Sequence, residues 1–122
     1  MRVYRLARDL LLDAWADADL LRRNRLTERI SAQLYTAIGS IAANLGEGYS
    51  RSSGRDRVRL YEYALGSARE STVWYEAASP VLGAEVVSKR LIKLEEIRRL
   101  LLAIIPRERN RMIRPTEPDS AS

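Results

Sequence analysis

The 122-residue chain contains no cysteine and no histidine. Without thiols there is neither a disulfide framework nor thiolate catalysis. Without imidazole the commonest general base and the commonest metal ligand are both missing. Glycine and proline are few, at six and four residues, as in ordinary folded α proteins. No apolar run reaches the length of a membrane span, and Arg2, Arg5 and Arg8 lead into a mixed-charge helix instead of a signal peptide. These absences predict a soluble cytoplasmic protein. What remains is 46% hydrophobic and 30% charged residues, too apolar for a disordered chain and of a length that suits one domain.

The apolar residues recur at helical spacing. Leu6, Leu10, Ala14, Ala18 and Leu21 form a first stripe, and Leu34, Ile38, Ile41 and Leu45 a second. Val58, Tyr61, Leu65, Ala68, Thr72 and Tyr75 form a third, and Val87, Leu91, Leu94, Leu101 and Ile105 a fourth. Helices are expected at about 4–23, 27–47, 54–79 and 84–105. Thr27 is placed to cap the second helix, with Glu28 in its first turn. Gly46 and Gly48 oppose its continuation. Ser53 with Asp56 three residues later has capping-box-like spacing. Ser79-Pro80 is expected to end the third helix and Pro106 the fourth. Residues 106–122 are polar, carry three prolines and are expected to be largely disordered. Short connections make neighbouring helices antiparallel, so the fold class is all-α, an antiparallel up-and-down four-helix bundle over residues 1–105.

The stripes do not use all the apolar residues. Leu12, Trp15, Tyr63, Trp74, Leu100, Leu102 and Ile104 lie off them. A bundle this small cannot bury both faces of every helix, so a second apolar surface implies self-association or partners.

The net charge is +5, with a pI of about 10.0. Residues 89–114 hold nine Lys and Arg, including Arg98 and Arg99, against three Glu, a net +6. Arg51, Arg55, Arg57 and Arg59 face only Asp56 across residues 51–59, a net +3. Such clusters favour polyanions through counterion release, and the six named arginines are the candidate nucleic-acid contacts. The alternative is that the arginines solvate helix faces.

Catalytic signatures fail on inspection. GEGYSRSSG at 46–54 lacks the lysine and strand context of a phosphate loop. Glu47, Glu62, Glu70 and Glu76 lack the histidines that a di-iron bundle pairs with its glutamates. Ser40 and Ser67 have no base beside them. No catalytic residue, metal site or cofactor is expected. Asn44 with Glu47, and Ser67 with Glu70, repeat an i,i+3 spacing on consecutive helices. They read as a hydrogen-bonded latch fixing helix register, with Arg51 and Arg69 as partners for the carboxylates, or alternatively as a ligand pocket.

The second and third helices carry a recognisable pattern. Gln33, Leu34, Ala37, Ser40, Ile41, Asn44, Leu45, Glu47, Gly48 and Arg51, then Gly66, Ser67 and Glu70, resemble the motifs of the small bacterial four-helix-bundle proteins that include the 23S rRNA intervening-sequence proteins. The accessory protein of diversity-generating retroelements resembles the chain more distantly. The resemblance implies a four-helix bundle in a ring of five protomers. The chain departs from the pattern at Tyr35 and Thr36, where relatives often carry paired arginines, at Ala42 in place of proline, and at Thr72 in place of a second glutamate. Losing the arginine pair moves any nucleic-acid contact to the 51–59 turn and the last helix. Two functions follow: a non-enzymatic oligomer that binds RNA or another structured nucleic acid through phosphates, or a scaffold docking a partner enzyme, for which the retroelement relatives suggest a reverse transcriptase.

Overall fold

Residues recurring every three or four positions build four long helices in a computed structural model that describes residues 1–51 and 53–113. They are α1 (Arg2–Arg22), α2 (Glu28–Ser50), α3 (Gly54–Ala77) and α5 (Ala84–Ile113), with a single helical turn, α4 (Ser79–Leu82), between the last two. No strand occurs among the described residues. The order is up-down-up-down. α2 packs between α1 and α3, α3 packs on α5, and α1 closes the bundle against α5. The expected stripes face inward: Leu10, Leu21, Leu34, Ile38, Ile41, Leu45, Tyr61, Tyr75, Leu94 and Leu101 are fully enclosed, and Ile97, outside the expected fourth stripe, is enclosed with them. Each such side chain contributes about 1.5–3 kcal/mol by leaving water. Leu6, Thr72 and Leu91 are only partly covered, at the edges of their stripes.

Several boundaries differ from the sequence expectation, each for a physical reason. α2 runs past Gly46 and Gly48 to Ser50. Gly48 is buried, and a Cβ there would lie 2.8 Å from Cε1 of Tyr61 and 3.2 Å from Cβ of Leu60. The glycine lets α2 and α3 approach closely rather than ending the helix. Thr27 precedes α2 without a side-chain cap; its hydroxyl donates to the Leu21 carbonyl at 2.7 Å and ties down the α1–α2 turn. Ser53 does cap α3, accepting from the Asp56 N–H at 3.4 Å. α3 stops at Ala77, and Pro80 sits in the first turn of α4, where a missing N–H costs nothing. Gly83 at φ 90° then supplies the left-handed residue that separates α4 from α5.

The largest difference is at Pro106, which α5 carries inside the helix on its way to Ile113. A mid-helix proline forfeits one hydrogen bond and costs about 3 kcal/mol. The helix persists because its last turns are tied to α3. Arg57 Nε donates to Glu108 at 3.1 Å, with both side chains largely covered, and Arg109 pairs with Glu62. Residues 106–113 are therefore helical, while the rest of the expected tail, 114–122, lies outside the described residues.

Candidate nucleic-acid interface

Antiparallel packing brings distant basic segments to one end of the bundle. The start of α1, the end of α2, the start of α3 and the end of α5 meet there. Met1, Tyr49, Arg57, Tyr61, Ile104, Arg107, Glu108 and Arg111 line one groove of about 460 Å³. A second groove of about 260 Å³ adjoins it between Met1, Tyr4, Gly46 and Tyr49. Arg57 and Arg107, some fifty residues apart in the sequence, thus line the same groove.

The six candidate arginines play unequal parts in it. Arg55 is exposed and makes no ion pair among the described residues, and Arg59 is 60% exposed with only a 3.6 Å approach to Asp56. These two are one turn apart on the same face of α3. Arg51 is half-exposed and bonded to Glu47 at 2.5 Å within its own helix end. Arg57 is different. Its side chain is only 19% exposed, bonded to Glu108 and to the Arg51 carbonyl at 2.8 Å, so it is a brace between α3, α5 and the turn rather than a phosphate contact. Arg98 and Arg99 stand further along α5, each paired one turn back with Glu95 and Glu96 at 2.6 and 2.7 Å. Arg98 is partly covered, in a groove between α3 and α5. Arg5 and Arg107, which the sequence reading did not single out as contacts, are exposed without ion pairs among the described residues.

The latch forms with a different membership. Asn44 Nδ2 donates to the Ser40 carbonyl at 2.8 Å and to Ser40 Oγ at 2.9 Å, and Ser67 Oγ donates to the same Ser40 oxygen at 2.9 Å. Ser40 is therefore the hinge-pin between α2 and α3. The two carboxylates are not part of it. Glu47 is exposed and pairs with Arg51, and Glu70 is exposed and accepts from Trp74 Nε1 at 3.0 Å on its own helix. Water satisfies a carboxylate at no desolvation cost, so the i,i+3 spacing put Asn44 and Ser67 at the seam and left the glutamates on its solvent side.

A buried cluster escaped sequence reasoning. Asp17 is 3% exposed and accepts from Tyr75 Oη at 2.6 Å and from Arg90 Nε and Nη2 at 2.7 and 3.2 Å. Asp13 beside it accepts from Lys93 Nζ at 2.8 Å. Together with Arg2–Glu96 at 2.7 Å, these bonds stitch α1 to α5. Burial, reinforced by Asp17, pushes the Tyr75 phenol far above its usual range, and the Asp17 hydrogen bond raises Arg90. The cluster is fully paired and faces the core, which makes it a structural device. Its signal in the sequence was register: Leu10, Ala14, Asp17 and Leu21 share 4-3-4 spacing.

Residues 1–103 match the model of the 23S rRNA-intervening sequence protein family. The chain belongs to that family. A crystal structure of a protein with unknown function from the S23 ribosomal protein family of Bacteroides thetaiotaomicron has the same fold, with a TM-score of 0.78 over 84% of this chain and 97% of that one at 23% identity. No curated protein matches the chain significantly. Neither match extends to the accessory proteins of diversity-generating retroelements. Among the described residues no helix is long and apolar enough to cross a membrane, and no three Asp or Glu side chains converge as a metal site would require.

Proposed function

We propose that this family member is a non-enzymatic nucleic-acid-binding protein whose contact surface is the basic end of the bundle. The observation that supports it is convergence: Arg5, Arg55 and Arg107 reach solvent at one end of the molecule without ion pairs among the described residues, Arg59 beside them makes only the long approach to Asp56, and Glu47, Glu62 and Glu108 are engaged with other arginines. Cations without partners are free to displace counterions from phosphates. Recognition does not depend on base identity, since no base-reading helix motif is present. The test is retention of a labelled RNA across a salt series. Affinity should fall with a log-log slope of roughly −0.7 per phosphate contact on a single strand. Replacing Arg55 and Arg59 by glutamate should weaken binding uniformly across sequences and flatten that slope, while R57E should instead unfold the α3–α5 brace. Binding that is absent at physiological salt, or indifferent to the R55E/R59E change, overturns the reading, and docking to a protein partner such as a reverse transcriptase would take its place.

A second observation supports self-association. Leu12 is 76% and Trp15 68% exposed on α1, and Tyr63, Ile92 and Leu102 are exposed on α3 and α5. Trp15 stacks edge-on against Tyr35 with centroids 5.7 Å apart, beside an apolar groove of about 320 Å³ between α1 and α2. Surface aromatics of this kind favour burial in an interface. We infer a homo-oligomer, for which the family resemblance suggests five subunits.

A further inference from the structure

We propose that the basic end takes an unstacked base of single-stranded nucleic acid between Tyr4 and Tyr49. This inference rests on the nucleic-acid reading above and names the form of polymer that the end selects.

Tyr4 and Tyr49 stand on different helices, α1 and α2, and form walls of the same groove of about 260 Å³. The floor between them is Gly46, where a Cβ would approach Tyr4 Cε1 to 3.2 Å. A glycine here keeps the space beside the Tyr4 ring open, and any side chain would fill it. Tyr49 is 67% exposed and belongs also to the larger groove beside Arg107 and Arg111, so it is a ridge with a groove on each side. Arg8 lies over the Tyr4 ring, its guanidinium carbon 5.8 Å from the ring centroid.

The chemistry of that arrangement is specific. A tyrosine ring two-thirds exposed to water offers a flat π face on which another ring can stack. Bases have π faces on both sides and stack on tyrosine whatever their identity, while neighbouring arginines take the phosphates that lead the strand in and out. In a duplex the bases are stacked on one another and only phosphates and groove edges are offered. A duplex can therefore use Arg55 and Arg59 but not the tyrosine pair. Looped or single-stranded RNA and single-stranded DNA can use both.

The test compares a fluorescein-labelled 20-nucleotide single-stranded RNA with the same sequence annealed to its complement, titrated with the full chain and read by fluorescence anisotropy. The wild-type protein should prefer the single strand. Y49A should weaken single-strand binding by about 5- to 150-fold, the range that base–aromatic stacking spans. It should leave duplex affinity and the salt slope unchanged, and Y49F should restore the loss because it keeps the ring. G46V, which fills the groove, should reproduce the single-strand defect with both rings still present; a circular-dichroism melt confirms that each variant folds. Equal wild-type affinity for both forms, or single-strand binding unaffected by Y49A, overturns the stacking inference while leaving phosphate binding intact. If neither form is retained at physiological salt, the nucleic-acid reading fails and this inference falls with it.

Discussion

At the scale of single residues, the most consequential side chain is Asp17. It is a carboxylate held off water by α1, α3 and α5, with the Arg90 guanidinium and the Tyr75 phenol as its compensation. Removing one partner of a buried, hydrogen-bonded ion pair costs about 3–5 kcal/mol, because the other charge is left stranded. D17A should lower stability by up to that amount in a urea titration, less whatever Arg90 recovers from its 3.6 Å approach to Asp13. E47A should change it by less than about 0.5 kcal/mol, since Glu47 is exposed and its bond to Arg51 is a surface pair. The Tyr75 shift carries its own pH signature. Folded Tyr75 holds its proton well above the usual phenol value of 10.0, whereas the unfolded residue loses it there. Stability from this group is thus complete below about pH 10 and declines as pH rises beyond it, by about 1.4 kcal/mol per pH unit. Tyr61, also raised by burial and by Glu108, adds to the same alkaline decline. Y75F should make the decline between pH 10 and 11.5 shallower, and an unchanged alkaline limb would show that Tyr75 is not ionisation-coupled to folding. Asp17 was legible only as a register position. Nothing in local sequence distinguishes an inward aspartate from a solvated one until Arg90, 73 positions away, is brought beside it by the fold.

At the scale of elements, glycines separate close packing from mere helix content. At Gly48, α2 lies close against α3, with the buried Tyr61 ring occupying the space that a Cβ would need. G48A must displace that ring and should destabilise by about 1–3 kcal/mol, the usual cost of overpacking. Gly66 sits within α3 with nothing within 4 Å of a built Cβ. G66A should stabilise by about 0.5–1 kcal/mol, because alanine removes backbone entropy from the unfolded chain at no steric cost. Thermal melts of the two variants should shift in opposite directions, and a G48A variant at least as stable as the wild type would refute the close-approach account. The same contrast explains which elements the sequence disclosed. The stripes of α1, α2, α3 and α5 are set by local periodicity, which survives whatever the tertiary context. Helix ends are not set locally. α2 ignores Gly46 and Gly48 because α3 needs the approach, and α5 passes Pro106 because Glu108 and Arg109 are held from α3. In the candidate site, the turn arginines were visible as a charge run, but the meeting of Arg57 with Tyr49 and Arg107 depends on the antiparallel packing of four segments.

At the scale of the whole molecule, the core and the surface make opposite demands. The interior is apolar and its polar side chains are paired apart from the buried Arg98 Nε, yet Leu12 and Trp15 lie in water on α1 within one turn of each other. Leu12 points directly away from the core stripe, so no rearrangement of the same bundle can cover it. A second copy can. The wild-type chain at micromolar concentration should therefore elute in light-scattering chromatography at a multiple of its 13.9 kDa mass, five-fold if the family resemblance extends to assembly. L12E should shift that mass toward the monomer without loss of helical circular dichroism, because the residue supports nothing inside the subunit. Trp15 fluorescence should move to longer wavelength on the same dissociation as its indole becomes wetted, with Trp74, packed against the core, giving a constant background. An assembly also multiplies the basic end. Each subunit presents one, so a strand that bridges two of them gains avidity from contacts that are individually weak. L12E should then weaken RNA retention as well as assembly, even though it lies on a different part of α1 from Arg5 and Tyr4. A 13.9 kDa monomer for the wild-type chain would overturn self-association, whereas a dimer or tetramer would replace only the number five.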